Sequence, residues 1–193
     1  MSKECPIVQN TMSKEQVIPK LIPVFRTHGY EGTSLAMLSK ATGLGKASLY
    51  HYFPQGKKGM AEAVMNYIAL SFEEIVLQPL TGLGTPEARI VRMCEALNDF
   101  YDRGKNNCFL AIMSIGEADK LFYERVRQRL EIWIEAIANI LIEAGFKPET
   151  ARRRSQAAII EIQGALVLVR ILQQPEIFLR TLNDLPLKLM AED

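Results

Sequence analysis

The side chains best suited to bind a charged polymer lie in one short segment, GTSLAMLSKATGLGKASLYHYFP at positions 32–54. The segment indicates two short helices, the first capped by Thr33 or Ser34 and the second beginning at Lys46. Gly43, between them, can supply the positive φ angle that ends a helix. This spacing is that of a helix-turn-helix over about residues 34–53, which inserts its second helix into a DNA groove.

The second helix of this segment divides into an apolar and a polar side. Leu49 and Phe53 are four residues apart, so they lie on one stripe and are expected to face a core. The residues expected to share that core are Leu35, Leu38, Ala41, Leu44, Leu49 and Phe53. Seen alone, a YHYF run is more often core packing than a binding surface, but here Leu49 and Phe53 already fill the core.

The opposite side of the second helix carries small or polar side chains, which allow close approach to a groove: Ala47, Ser48 and His51. Lys46 stands at the helix start, where such helices present base-contacting residues. The hydroxyls of Tyr50 and Tyr52 can reach phosphate oxygens. This second helix lacks Arg, Asn and Gln, so the sequence does not define which bases are preferred.

Residues 13–67 resemble the TetR family of bacterial transcription factors. The resemblance is carried by Gly29-Tyr30-Glu31-Gly32-Thr33-Ser34, Leu38, Ala41, Gly43-Leu44, the run from Lys46 to Pro54, and Lys57. Matched position by position, it implies DNA contacts from Thr33, Lys46, Ala47, Ser48, Tyr50, His51, Tyr52 and Lys57. The chain departs from the family pattern at Gly45, where a Ser-type cap is usual, and in the extra residue at Gln55-Gly56.

Helical punctuation recurs along the whole chain, which predicts an all-α fold of about nine helices. We expect a tail at 1–12, a DNA-binding domain at 13–67 and a ligand-binding and dimerisation domain at 68–193; the last two are called the head and the body below. The first helix should open with a capping box at Ser13 and end near Gly29, with a kink at Pro23. A long helix should be capped by Asp119, and the last should span 175–182.

The formal net charge is only +1, which by itself argues against a nucleic-acid partner. The charge is unevenly distributed, however. Residues 1–67 carry eight Lys and Arg against four Asp and Glu, and residues 68–193 carry fifteen against eighteen. The net values are therefore +4 and −3. This division favours a DNA-binding head on an acidic body.

The body resembles the family only in the arrangement of its helices. An apolar cavity is expected from side chains at helical spacing, although a simple core is the default for each: Phe72, Met93, Leu97, Phe100, Cys108, Met113, Trp133, Ile137 and Gln163. A four-helix dimer interface is expected from two apolar stripes near the C-terminus, with an intramolecular core as the alternative: Ala157, Gly164, Leu168, Ile177, Phe178 and Leu182. Glu161 should face solvent, an Arg, the partner subunit or a ligand, and a structural pairing is ranked first.

We predict no cofactor, metal or catalytic residue, because no nucleophile–base pair, phosphate loop or ligand cluster is visible. No signal peptide or bilayer-length apolar segment is evident, so a cytoplasmic protein without a membrane partner is expected. The predicted function is a homodimeric repressor that binds a palindromic DNA operator and is released by a small apolar effector. The alternative is a helical small-molecule-binding protein or enzyme whose helix-turn-helix is a relic.

Overall fold

A computed structural model describes residues 12–191, and the described part of the chain contains nine α-helices and no strand. The helices are α1 Lys14–Gly32, α2 Leu35–Thr42, α3 Lys46–Tyr52, α4 Gly56–Phe72, α5 Pro86–Phe100, α6 Phe109–Ile112, α7 Glu117–Glu143, α8 Pro148–Leu172 and α9 Glu176–Met190. A π-helical turn, Glu73–Leu77, and a 3-10 turn, Gln78–Thr81, connect α4 to α5. The all-α prediction is confirmed. Of the predicted tail at 1–12, all but Met12 lies outside the described residues.

Helix α1 opens with a capping box at Ser13 and breaks at Gly29 as predicted, but it has no break at Pro23. The Ser13 backbone N–H donates to Gln16 Oε1 at 2.9 Å, as a capping box requires. The backbone stays helical through Pro19 and Pro23, and the break comes at Gly29, with φ 65° and ψ −173°. The expected kink at Pro23 is therefore replaced by a glycine break, a conformation that glycine adopts without steric cost. The chain resumes helical geometry and ends α1 at Gly32.

The turn between α2 and α3 is held by side chains as well as by glycine. Gly43 is left-handed with φ 74°, and Ser34 caps α2 by accepting from Met37 N–H at 3.2 Å. Thr42 is buried, and its hydroxyl donates to the Leu38 carbonyl at 2.8 Å. Ala41, expected in the core, is exposed instead. Thr42 lies one turn after the buried Leu38 on the same face, and its hydroxyl is satisfied there by the Leu38 carbonyl.

Two hydrophobic cores divide the described residues. The first joins α1–α4, with Leu38 and Leu49 fully buried, but it also includes residues from α6, α7 and the segment between them: Phe109, Met113, Ala118 and Phe122. The second joins the π-helical turn, α5 and α7–α9 around Trp133 and Phe178. The core of the head is thus completed by side chains from beyond residue 67.

The long helices of the body differ from prediction mainly at their ends. Helix α7 begins at Glu117 after Gly116, so Asp119 lies in its first turn rather than capping it. Helix α9 continues to Met190 instead of stopping at Leu182, because Leu185 and Leu189 extend its buried stripe. Pro186 does not end this helix.

Helix α8 is long and apolar enough to cross a bilayer by length and composition, and 39% of its most apolar window is buried in the protein. Helices α7 and α9 pack against it and bury Ala158, Ile162 and Leu166. Several of its other apolar side chains are exposed to solvent in the single chain.

Candidate nucleic-acid interface and ligand cavity

Helix α3 presents a continuous polar surface because its two apolar anchors are withdrawn into the head. Leu49 is fully buried and Phe53 is 3% exposed, as predicted. The side chains between and before these anchors are exposed: Lys46, Ala47, Ser48, Tyr50 and His51. A seven-residue helix with one buried stripe and a small, polar opposite side has the shape needed to enter a major groove.

The N-terminus of α3 is open, since Gly45 provides no side-chain cap. The first backbone N–H groups of a helix lack intrahelical partners. Lys46 is the first residue of α3 and is exposed, so its ammonium can also donate to phosphate or base acceptors. The departure from the family pattern at Gly45 thus leaves donors available instead of removing the recognition helix.

Tyr50 and Lys57 lie together on the rim of α3. Both line an open concavity of the head, with Ser34 and Lys58. Gly56, at φ 60°, lies so close to Tyr50 that an added Cβ would approach Cε1 to 3.1 Å. The Gly56 backbone, at the extra residue of Gln55-Gly56, therefore packs closely against the Tyr50 ring. The concavity combines a phenol and two lysines, which suits it to a phosphate.

Three of the predicted contact residues already have partners within the chain. Thr33 is 2% exposed and its hydroxyl donates to the Gly29 carbonyl at 2.6 Å, so it has no hydrogen left for a phosphate. The Tyr52 hydroxyl donates to the Met12 carbonyl. The Lys57 ammonium donates to the Tyr30 carbonyl at 3.0 Å but retains two further hydrogens. Direct contact through the Thr33 side chain is incompatible with this conformation.

Sequence reasoning missed the contact that links the head to the body. The Glu31 carboxylate accepts from the backbone N–H of Glu117, the first residue of α7. Next to it, the rings of Tyr30 and Phe122 meet edge to face, with centroids 5.3 Å apart. A carboxylate at a helix N-terminus is favoured by the helix dipole. The end of α1, just before the helix-turn-helix, is therefore tied to the longest helix of the body.

A largely apolar cavity lies where the head meets the body, between α1, α4, α7 and the segment around residue 108. Its empty volume is about 810 Å³, including space at the mouth that is open to solvent. Phe72 lies at its centre, edge to face with Phe100 at 5.2 Å and with Trp133 at 4.9 Å between centroids. Apolar walls with a few polar groups are typical of small-molecule sites.

Four of the nine predicted cavity residues line this cavity, namely Phe72, Phe100, Cys108 and Trp133. The other five do not. Met93, Leu97 and Ile137 are fully buried in the core of the body, and Met113 is fully buried in that of the head. Gln163 lies behind the wall, beside the Tyr101 hydroxyl. Helical spacing identified inward-facing positions but not which of them border the empty space.

Polar residues at the cavity come from places that the sequence did not suggest. Arg26 enters from α1, and its Nε is buried without a hydrogen-bond partner. Burial lowers the pKa of the Arg26 guanidinium, an effect opposed by Tyr101 and Cys108. Burial also raises the pKa of the Tyr101 phenol well above its usual value, so this neighbour is neutral.

An exposed apolar stripe runs along α8. Its members recur at helical i, i+3, i+4 spacing: Ala157, Ile160, Gly164, Val167, Leu168 and Ile171. Ile160 and Ile171 are 71% and 66% exposed. On α9, Leu179 and Leu187 are also exposed. Ala157, Gly164 and Leu168 therefore lie where the sequence predicted an outward face.

Phe178 and Leu182 must be removed from the predicted dimer interface. Phe178 is fully buried within the chain, edge to face with Tyr101 at 5.9 Å, and the backbone of Gly104 packs directly on it. Leu182 is 2% exposed in the same core. Ile177 is half-buried against that core. The stripe on α9 thus faces its own chain, as the alternative interpretation held.

Glu161 makes an ion pair within its own chain, the outcome that the sequence favours over contact with a ligand or a partner subunit. Its Oε2 lies 2.6 Å from Lys188 Nζ on α9. Both side chains remain partly exposed, so the ion pair crosses the surface between the two helices instead of entering the core. Because Lys188 compensates the Glu161 carboxylate, no unpaired charge from Glu161 lies beside Ile160 and Gly164.

The fold and this surface define a class, a two-part helical protein with a helix-turn-helix on its first part. Comparison with known protein families narrows this class. Residues 22–64 match the bacterial regulatory proteins of the tetR family, and residues 86–183 match the C-terminal domain of LmrA/YxaF-like transcriptional regulators. The chain belongs to the TetR family of DNA-binding transcriptional regulators.

Among its relatives, the HTH-type transcriptional regulator YxaF of Bacillus subtilis is 24% identical over 160 residues, covering 81% of this chain and 84% of YxaF. LmrA of the same organism is 22% identical over 81% of this chain and 85% of its own. A crystal structure of a TetR transcriptional regulator from Chloroflexus aurantiacus is 25% identical, with 93% and 94% coverage and a TM-score of 0.76. One from Legionella pneumophila, 16% identical with 93% and 97% coverage and a TM-score of 0.77, shares the fold.

Proposed function

We propose that this regulator is a cytoplasmic homodimeric repressor, without a membrane partner or enzymatic activity, that binds a palindromic operator and is released by a small, largely apolar effector. The observation that carries the proposal is the exposed polar side of α3, from Lys46 to His51, held outward by the buried Leu49. In a dimer two such helices would enter successive major grooves, roughly 34–36 Å apart.

The dimer is supported by the apolar stripe of α8. Isolated exposed apolar side chains are ordinary on a monomer, but a continuous stripe over several turns is typical of an interface. Gly164 and Ala157 are small, which permits close approach of a second helix. Glu161 and Lys188 neutralise each other beside this face, which lowers the cost of covering it.

Release by an effector is supported by the cavity and by its position. The cavity borders α1 and α4, both helices of the head, as well as α7 of the body. A molecule that binds there shifts the position of the two heads only to the extent that it binds the two conformations differently. The contact between Glu31 and the N-terminus of α7 is a second point at which such a shift is transmitted.

The experiment that tests the proposal is a selection of genomic DNA fragments by the purified full-length protein at low salt. Recovery of fragments that share an inverted repeat is expected. Recovery of no enriched fragment would contradict the proposal and favour the alternative, a small-molecule-binding protein or enzyme with a relic helix-turn-helix.

A further inference from the structure

Arg26 is a cation of the head placed at the cavity between the head and the body. It belongs to α1, whose neighbouring residues Leu21 and Phe25 are fully buried in the core of the head. The guanidinium nevertheless borders the same cavity as Phe72 and Trp133. An occupant of the cavity therefore touches a helix of each part.

The other two arginines of the cavity are paired, and Arg26 is not. Arg129 pairs with Glu73, and Arg125 lies 3.8 Å from Glu62. Within the described part of the chain Arg26 has no carboxylate within 4.0 Å, and its buried Nε has no hydrogen-bond partner. Arg26 is half-buried, and a buried Nε–H without an acceptor costs free energy even though the rest of the guanidinium is less deeply enclosed. The cost is removed when an acceptor of negative charge is supplied.

A second donor at the cavity also lacks an acceptor. Trp133 is 1% exposed, and its Nε1–H has no partner. An indole N–H and a guanidinium can only donate, so neither can satisfy the other. The nearby Tyr101 phenol is kept neutral by burial, which raises its pKa, and supplies no counter-charge. Glu73, the one carboxylate that lines the cavity within the described residues, is already paired with Arg129, so it does not neutralise Arg26.

The walls specify the rest of the occupant. Phe72 meets both Phe100 and Trp133 edge to face, and all three rings line the cavity. A flat ring fits such a space and gains further edge-to-face contacts. We propose that the effector is an aromatic carboxylate, with its ring against Phe72 and its carboxylate bound by Arg26. This inference rests on the proposed effector response and names its chemical class.

The position of Arg26 gives the carboxylate a direct route to the DNA-binding head. Three residues after Arg26, α1 breaks at Gly29, and two residues later Glu31 contacts α7. A carboxylate bound by Arg26 draws the part of α1 before Gly29 toward the body. Binding therefore changes the position of α1 relative to the body directly, and no rearrangement of the hydrophobic core is required.

The test uses benzoate, benzamide and benzylammonium, three probes of similar shape and different charge. Trp133 is the single tryptophan of the chain, so its fluorescence reports on the cavity, and calorimetry gives the affinities. Benzoate is expected to bind on the order of tenfold to hundredfold more tightly than benzamide, as charge-assisted hydrogen bonds require. Benzylammonium is expected to bind more weakly than both.

Arg26→Gln removes the charge and keeps most of the length, so it should abolish the preference for benzoate, and Arg26→Lys should retain part of it. Arg127→Gln is the matched control and should keep the preference, since it removes an exposed arginine of α7 that does not line the cavity. Equal binding of benzoate and benzamide, unchanged preference in Arg26→Gln, or no binding of any probe would overturn the inference. These outcomes are independent of DNA binding, whose absence would contradict the proposed function instead.

Discussion

At the scale of single residues, the site is defined by which hydrogens and charges remain available once the fold is complete. Thr33 and Tyr52 have donated their hydroxyl hydrogens to backbone carbonyls. Lys46 and Ser48 are exposed. Arg26 and Trp133 line the cavity, and each has a buried nitrogen donor without a partner. The residues without intramolecular partners are therefore those from which we expect recognition of DNA and of the effector.

Lys46→Ala should weaken operator binding by about tenfold or more, because a contact to a base edge or phosphate is worth about 1–3 kcal/mol. Its exposed position means that folding should be unaffected. Fluorescence anisotropy on a selected operator measures the loss. Lys147→Ala, an exposed lysine at the beginning of α8, is the control and should bind normally. Equal affinities for both variants would show that α3 is not the recognition helix.

Glu31→Gln should loosen the attachment of the head to the body. The amide still accepts from Glu117 N–H but has lost the charge that favours a helix N-terminus, so about 0.5–1 kcal/mol of stability should be lost. Hydrogen exchange should rise in the first turn of α7 and at the end of α1. Glu74→Gln, an exposed carboxylate on the π-helical turn, should leave exchange at these sites unchanged. Unaltered protection in Glu31→Gln would contradict the contact.

At the scale of helices, hydrophobic periodicity predicts burial correctly where one face of a helix packs against a single core. It placed Leu49 and Phe53 inward on α3, and both are buried. It failed for Ala41 and Thr42, because the face that carries Leu38 continues to Thr42, a polar residue whose hydroxyl is satisfied by the Leu38 carbonyl. It also failed for Phe178, since an apolar stripe does not reveal whether its partner is the same chain or a second copy.

The cavity shows the same limit of prediction from helical spacing. Phe72 and Trp133 could be assigned from apolar spacing, whereas Arg26 could not. An arginine in an amphipathic helix of the head is expected to face solvent. Only the packing of α1 on the body brings it to the cavity. The part of the site that crosses between helices distant in sequence was not predictable from local pattern.

Gly164→Arg tests the helix face assigned to the dimer. Space around Gly164 is open, with nothing within 4 Å of an added Cβ, so the isolated subunit should tolerate the change. In a dimer the same arginine would place a charge in an apolar interface. Sedimentation should therefore show the mass of one chain, 21.8 kDa, instead of twice that value.

The control for Gly164→Arg is Asn139→Arg, which adds the same charge at an exposed position on α7. This variant should sediment as the wild-type protein does. Circular dichroism should show equal helix content in both variants. A dimeric Gly164→Arg protein with native helix content would move the interface away from this part of α8.

At the scale of the whole molecule, the net charge of +1 conceals two opposite regions. The first 67 residues carry +4 and the remainder −3, so a dimer brings +8 to the DNA side. Affinity for the operator should fall steeply with salt, by at least about tenfold between about 50 mM and about 200 mM, because bound counterions are released from the DNA. Anisotropy titrations at several salt concentrations measure this slope. A salt-independent affinity would contradict binding through the head.

The most direct test of the whole account is hydroxyl-radical footprinting of a selected operator, with the stoichiometry measured on the same duplex. Two protomers should protect two half-sites whose centres lie one helical turn apart, about 10–10.5 base pairs. Lys46→Ala should lose both footprints together. One protomer on a single unsymmetrical site, or protection that persists in Lys46→Ala, would contradict a dimer that recognises DNA through α3.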